Sequence, residues 1–246
     1  MTLHVSVPAA ARPGLLASVA DLAEMEVALG AGADIVDLKN PAEGALGAWG
    51  EAPLRAAVAR WRAAGCVTGL SATVGDQPLD AAILLAAARR TAATGVPLVK
   101  IGFPLPAEGP GAALAPVLDA LAPLARETRL IAVLFADQRP DLAALPHFAA
   151  AGFHGVMLDT ADKTAGGLLA HLGVERLAGF VAEAKAAGLL TGLAGSLKLE
   201  DIAPLAALKP HYLGFRGALC ATGRTSALDP VRLARVREAL KGRVTA

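Results

Sequence analysis

The chain has 246 residues, 54% of them apolar, with 23 Lys and Arg against 22 Asp and Glu. That length buries a core without disulfide or metal staples, and the near-zero charge excludes the broad basic patch that nucleic acid demands. Mean hydropathy of +0.50 invites a membrane reading. However, the longest stretch free of Asp, Glu, Lys and Arg, residues 142–158, contains Pro146, His147, Gly152 and His154, and it falls short of the ~20 apolar residues of a bilayer span. Residues 1–20 loosely resemble a leader ending Ser18-Val19-Ala20, but they lack a basic start and are broken by Pro8 and Arg12-Pro13. Cys66 and Cys220 are the only cysteines, too few for a secreted disulfide framework. The expectation is a cytoplasmic protein without contact to membrane or nucleic acid.

Taken in chain order, residues 1–13 form an extension ahead of the first apolar run, 15–19. Asp21 then suits the N-cap of a helix, and Gly32 its left-handed end. The second run, 34–39, precedes an amphipathic helix at 51–63 with Leu54, Val58 and Trp61 on one face. The third run, 66–71, leads to a helix capped by Asp80 and closed by Gly95. Runs at 98–102, 130–135, 154–159, 189–194 and 211–216 follow, with Asp141 and Asp229 as further N-caps and Gly152 and Gly188 as further helix ends. The long helix before Gly188 is expected at 174–187. The runs start about 28 residues apart, the size of one βα unit. Most lack polar alternation, as parallel strands buried on both faces do. Eight such units predict an α/β fold, a single (β/α)8 barrel of TIM type spanning residues 1–246. An open Rossmann-type sheet is the competing topology, but no Gly-x-Gly-x-x-Gly follows the first strand.

Active groups of such barrels lie at the C-terminal strand ends. There the sequence places Lys39 after strand two, Lys100 in strand four, Asp159 ending strand six and Arg216 ending strand eight. Asp37, two residues before Lys39, shares its face of the strand. Lys163 follows in the loop after strand six. Lysines crowded into a barrel mouth lower one another's pKa, and a neutral amine attacks carbonyls. The chemistry expected is a Schiff base on one lysine with proton transfer by another, Asp37 and Asp159 orienting the amines or relaying protons. A purely salt-bridging or capping role is the alternative for the two aspartates.

Phosphate handling is the second theme. Gly195-Ser196 after strand seven and Arg216-Gly217 after strand eight form the loop pair that holds phosphate in many barrels. Residues 71–76, with Ser71, Thr73 and Gly75, offer a second anion site, although small residues also occur where turns simply need them. His147 and His154 lack a metal-ligand pattern, Cys220 reads as small filler, and Trp49 and Trp61 read as packing residues. No metal and no cofactor are expected.

The segments 33–47 (Ala33-Asp34-Ile35-Val36-Asp37-Leu38-Lys39-Asn40-Pro41-Ala42-Glu43-Gly44-Ala45-Leu46-Gly47), 71–76, 157–161, 193–196 and 216–217 together resemble the (5-formylfuran-3-yl)methyl phosphate synthase family of methanofuran and methylofuran biosynthesis. The similarity runs from about Leu15 to the C-terminus, with Asp-x-Lys-Asn-Pro-x-Glu-Gly its most specific part. It implies a lyase joining two molecules of glyceraldehyde 3-phosphate, with release of phosphate and water. By that resemblance Lys39 forms the Schiff base, Lys100 is the general acid and base, and Asp37, Asp159 and Lys163 complete the catalytic set. Lys163 lies in the segment that matches most loosely, and the loop 103–106 differs from archaeal members. The partner implied is a small triose phosphate, and a homo-oligomer is compatible with the sequence. A different Schiff-base aldolase or dehydratase on a sugar phosphate, or a barrel that binds a phosphorylated metabolite without turnover, would use the same residues.

Overall fold

The computed structural model describes residues 12–105 and 113–242. Eight parallel strands, β1 (Gly14–Val19), β2 (Ile35–Leu38), β3 (Gly69–Thr73), β4 (Leu98–Phe103), β5 (Arg129–Phe135), β6 (Gly155–Asp159), β7 (Leu190–Leu193) and β8 (Tyr212–Phe215), close on themselves in sequence order. Closure joins β8 to β1, with Tyr212 beside Gly14 and Phe215 beside Ala17. The helices are α1 (Leu22–Gly30), α2 (Glu51–Ala63), α3 (Ala81–Ala92), α4 (Leu114–Ala125), α5 (Leu145–Ala150), α6 (Leu168–His171), α7 (Val174–Ala186), α8 (Ile202–Ala207) and α9 (Pro230–Leu240). The short α6 is an addition to the expected one-helix-per-strand pattern. The extension expected at 1–13 lies outside the described residues save for Arg12 and Pro13.

Strand alternation separates two apolar clusters. Leu16, Ile35, Leu98, Ile131, Val133, Met157 and Tyr212 fill the barrel interior. Leu15, Ala17, Val36, Leu38, Val99 and Ile101 face the helices. Both faces of every strand are therefore buried, which is why the sequence shows unbroken apolar runs. The capping expectations hold locally: the side chains of Asp21, Asp80, Asp141 and Asp229 each accept a backbone N–H at a helix start. Gly32, Gly95, Gly152 and Gly188 all carry positive φ.

One boundary moves in a way that bears on function. The apolar pattern predicts the third run at 66–71, yet β3 begins at Gly69. Cys66 adopts a left-handed backbone (φ 55°), its N–H returning to the Trp61 carbonyl, and the Trp61 indole donates to the Thr68 carbonyl at 2.8 Å. These bonds hold the chain in the turn for several residues more. The strand then runs two residues past the expected end, so Thr73 sits inside it beside Ser71 rather than in the loop beyond.

Candidate active site

Lys39 follows β2 directly, its backbone N–H still continuing the ladder to the Val19 carbonyl at 3.0 Å. The chain then reverses. Asn40 caps a 3-10 turn at Pro41–Glu43 by accepting from the Ala42 N–H. The Asp76 carboxylate from the loop after β3 accepts the N–H groups of Ala45 (2.8 Å) and Leu46 (3.1 Å). Gly44 permits this cradle: its φ is +105°, and a Cβ there would stand 2.0 Å from Asp76 Oδ2. The result is a loop folded back over the barrel, with Leu46 packed among the interior apolar side chains. Gly102 on β4 makes room for it, since a Cβ there would lie 2.8 Å from Leu46 Cδ1.

Beneath this loop lie two ionic groups. In the first, Asp37, fully buried, accepts from Lys100 Nζ (2.9 Å), Ser18 Oγ (2.9 Å) and Ser71 Oγ (2.7 Å). Burial pushes this carboxyl up, but the charges of Lys100 and Lys39 and the bonds from Ser71 and Lys100 outweigh it, so it lies below its usual range. Lys100, 1% exposed, is held below the usual lysine range. Burial lowers it, and the Lys39 charge adds to that against the opposing pull of Asp37.

The second group centres on Asp159. Its Oδ1 accepts from Lys163 Nζ at 2.5 Å and from the Thr160 N–H at 2.8 Å, while Oδ2 lies 3.6 Å from Lys39 Nζ. Burial raises Asp159, but Lys163 and Lys39 hold it well below the ordinary carboxylate range. Lys163 is itself lowered, chiefly by burial. Lys39 is 5% exposed and, among the described residues, has this single, long ion pair. No hydrogen bond among the described residues ties its Nζ.

Lys39, Lys100, Asp159 and Lys163 line a cavity of about 560 Å³, together with Gly195, Ser196, Arg216 and Gly217. With Asp37 bonded to Lys100 just behind the wall, the five residues expected to be catalytic come together. No hydrogen bond among the described residues uses the backbone N–H groups of Gly195, Ser196 or Gly217, which leaves the amides of the two loops for a ligand. No cluster of three or more His, Cys, Asp or Glu able to hold a metal ion occurs among the described residues. No described helix is long and apolar enough to cross a membrane.

Three expectations about anion binding need correction. Ser71 is spent on Asp37, and Thr73 Oγ1 donates to the Gly47 carbonyl at 2.9 Å. Neither hydroxyl lines the cavity, and the neighbouring Asp76 brings negative charge to that loop. Arg216 reaches the cavity wall, but all five of its guanidinium donors are engaged. Nε donates to the Arg224 carbonyl at 2.7 Å, Nη1 to the Ser18 carbonyl and Glu24, and Nη2 to Glu24 and the Ser226 carbonyl. Arg216 is a latch between β8, α1 and the loop that follows.

Sequence reasoning missed Ser18, Glu24, Asp76 and Arg224. Ser18 was within reach, because it shares Leu16's inward face of β1. Glu24 was hidden, since its partner lies 192 positions away. Cys220, read as filler, is buried and its Sγ donates to the Arg216 carbonyl at 3.1 Å.

Comparison with known proteins identifies the family. Residues 15–237 match the profile of the family described as 4-HFC-P synthase. A Methylorubrum extorquens protein provisionally named a (5-formylfuran-3-yl)methyl phosphate synthase is 43% identical over 232 residues, covering 94% of this chain and 93% of its own. A (5-formylfuran-3-yl)methyl phosphate synthase of Methanococcus maripaludis strain C5 is 33% identical over 219 residues, 85% of this chain and 90% of its own. Among solved structures, phosphoribosyl anthranilate isomerase from Thermus thermophilus superposes with a TM-score of 0.58 at 16% identity, covering 94% of this chain and 97% of the other. That likeness speaks to the barrel alone. The profile match and the identities over most of both chains carry the assignment: this chain belongs to the 4-HFC-P synthase family.

Proposed function

We propose that the protein is an enzyme that condenses two molecules of glyceraldehyde 3-phosphate into (5-formylfuran-3-yl)methyl phosphate through a Schiff base on Lys39, supplying the furan of methanofuran-type cofactors. The observation that carries this reading is the state of Lys39. It alone of the three site lysines lacks a hydrogen bond among the described residues, and it faces the cavity. An amine that is buried, loosely paired and open to a ligand is suited to attack a carbonyl. Lys100 and Lys163 are each fastened to a carboxylate at hydrogen-bonding distance, as groups that move protons rather than bond carbon are.

In this scheme the Lys39 amine adds to a triose phosphate aldehyde, and water leaves as the iminium forms. The iminium acidifies the adjacent C–H, and the Lys100–Asp37 pair receives and returns that proton. The enamine carbon attacks the second triose phosphate. Phosphate elimination, ring closure and dehydration then release the product and free Lys39. The balance closes with one phosphate and two waters lost, so no oxidant or reductant enters. The amides of Gly195, Ser196 and Gly217 are placed to hold one phosphate.

The direct test is incubation with glyceraldehyde 3-phosphate and borohydride, followed by peptide mapping. An adduct on Lys39, together with a furan chromophore and free phosphate in the absence of borohydride, is the expected result. An unmodified Lys39 in turning-over enzyme rejects the Schiff base. Phosphate release without a furan chromophore would point instead to an aldolase or dehydratase.

A further inference from the structure

Two triose phosphates bring two phosphates, and the hydroxyls of Ser71 and Thr73 are occupied elsewhere. The cations on the cavity wall differ in how much of their bonding capacity is used. Lys39, Lys100 and Lys163 each face a carboxylate, and every donor of Arg216 is engaged. Arg224 is the exception among the inner ones. Among the described residues its guanidinium makes one hydrogen bond, from Nη2 to the Gly44 carbonyl at 3.0 Å, and no ion pair. It lines the same cavity and is partly buried. Its charge is felt by Lys163, and it feels that of Asp159.

We propose that Arg224 is the side-chain anchor for a second phosphate on this cavity, with Arg216 as the positioning residue that holds it there. This rests on the reaction proposed above only for the identity of the phosphate's owner. The guanidinium offers a planar fork of donors, of which one is fixed and the others remain, and phosphate is the anion such a fork fits. The fixed donor grips the loop that follows Lys39, so the anchored phosphate lies beside the nucleophile's own loop rather than at the opposite wall. Arg216 sets the backbone of Arg224 from below: its Nε and Nη2 hold the carbonyls of Arg224 and Ser226, while Glu24 neutralises it. The two arginines divide the work, one bonded entirely inward and one left open.

The test is calorimetric titration of the intact protein with inorganic phosphate at constant ionic strength, alongside KM and kcat for glyceraldehyde 3-phosphate. Arg224→Gln is expected to weaken phosphate about tenfold or more and to raise KM by a similar factor, with kcat changed less and the unfolding temperature near that of the parent. Arg224→Lys keeps charge but loses the fork, and an intermediate loss is expected. It also serves if the glutamine variant does not fold. Arg55→Gln, exposed on α2 and paired among the described residues with Glu51, is the control for a general charge effect. Phosphate affinity and KM within twofold of the parent in both Arg224 variants would overturn the proposal, as would an equal loss in Arg55→Gln. Calorimetry needs no turnover. A protein that forms no furan yet loses phosphate in Arg224→Gln refutes the reaction and upholds Arg224. One that forms furan with unaltered phosphate binding in that variant does the reverse.

Discussion

The two ends of the barrel treat ionisable groups in opposite ways. At the C-terminal mouth, Lys39, Lys100, Lys163, Asp37 and Asp159 are buried as two ionic groups around a cavity. At the N-terminal floor, His154 and His211 sit near Arg129 and Lys185. Burial lowers both rings first, and Arg129 acts further on His154 and Lys185 on His211. Both shifts favour the neutral ring. His211 Nδ1 accepts the Thr191 N–H at 2.9 Å, joining β7 to the start of β8. On the floor burial and neighbouring cations disfavour charge on two rings, whereas the mouth retains charge at a desolvation cost that folding alone does not repay. That contrast teaches where selection has acted for chemistry: substitutions at the mouth should damage turnover beyond their effect on stability, and substitutions at the floor should do the opposite.

The strongest way to break the contrast is Lys39→Ala. Furan formation should fall roughly a thousandfold or more, while urea unfolding changes little, because Asp159 keeps Lys163 as its partner. Equal loss of activity and stability would place Lys39 in the scaffold. Next is Asp37→Asn, which leaves Lys100 buried without its counter-charge. A loss of about 3–5 kcal/mol is expected in urea denaturation, together with loss of turnover, since this pair serves both ends of the comparison. Arg216→Gln should cost about 3 kcal/mol by the same reasoning, because Glu24 would stay buried and unpaired. Its test is denaturation of the variant beside Glu24→Gln/Arg216→Gln, where removal of both charges should recover part of the loss.

The smallest effect belongs to the floor. A histidine whose folded pKa is depressed contributes stability that is complete above its unfolded value of about 6.5 and lost as pH falls below it, because the unfolded state then binds more protons. The unfolding temperature should therefore drop on going from pH 7 to pH 5. In His154→Gln/His211→Asn the drop should shrink by about 2–4 °C, with furan formation at pH 7 close to the parent's. A pH profile as steep as the parent's would show that other groups govern acid stability.

Much of the barrel was legible because its determinants are local. Runs apolar on both faces mark the strands, aspartates mark helix starts, and glycines before strands mark helix ends. The ionic cluster at the mouth was legible for a related reason: a lysine or aspartate inside an apolar strand end has few ways to be satisfied except by another such residue across the barrel. What could not be read is pairing at long range. Arg216 and Arg224 are alike as sequence, and only Glu24, far upstream and buried beside Arg216, decides which guanidinium is occupied. Thr73 was misplaced because β3 runs two residues past the apolar pattern, and the hydroxyls of Ser71 and Thr73 are taken by Asp37 and the Gly47 carbonyl, partners distant in sequence.

Leu46 has a consequence for the shape of the barrel mouth. The loop carrying it leaves β2 immediately after Lys39, is pinned by Asp76, and sets a leucine into the barrel over Gly102. The loop that follows Lys39 therefore stoppers the barrel interior at Gly102, while Lys39 itself faces the cavity lined by Asp159, Gly195 and Arg216. A shorter residue there would open space beneath the loop, and the glycine opposite fixes how far a bulkier residue could reach.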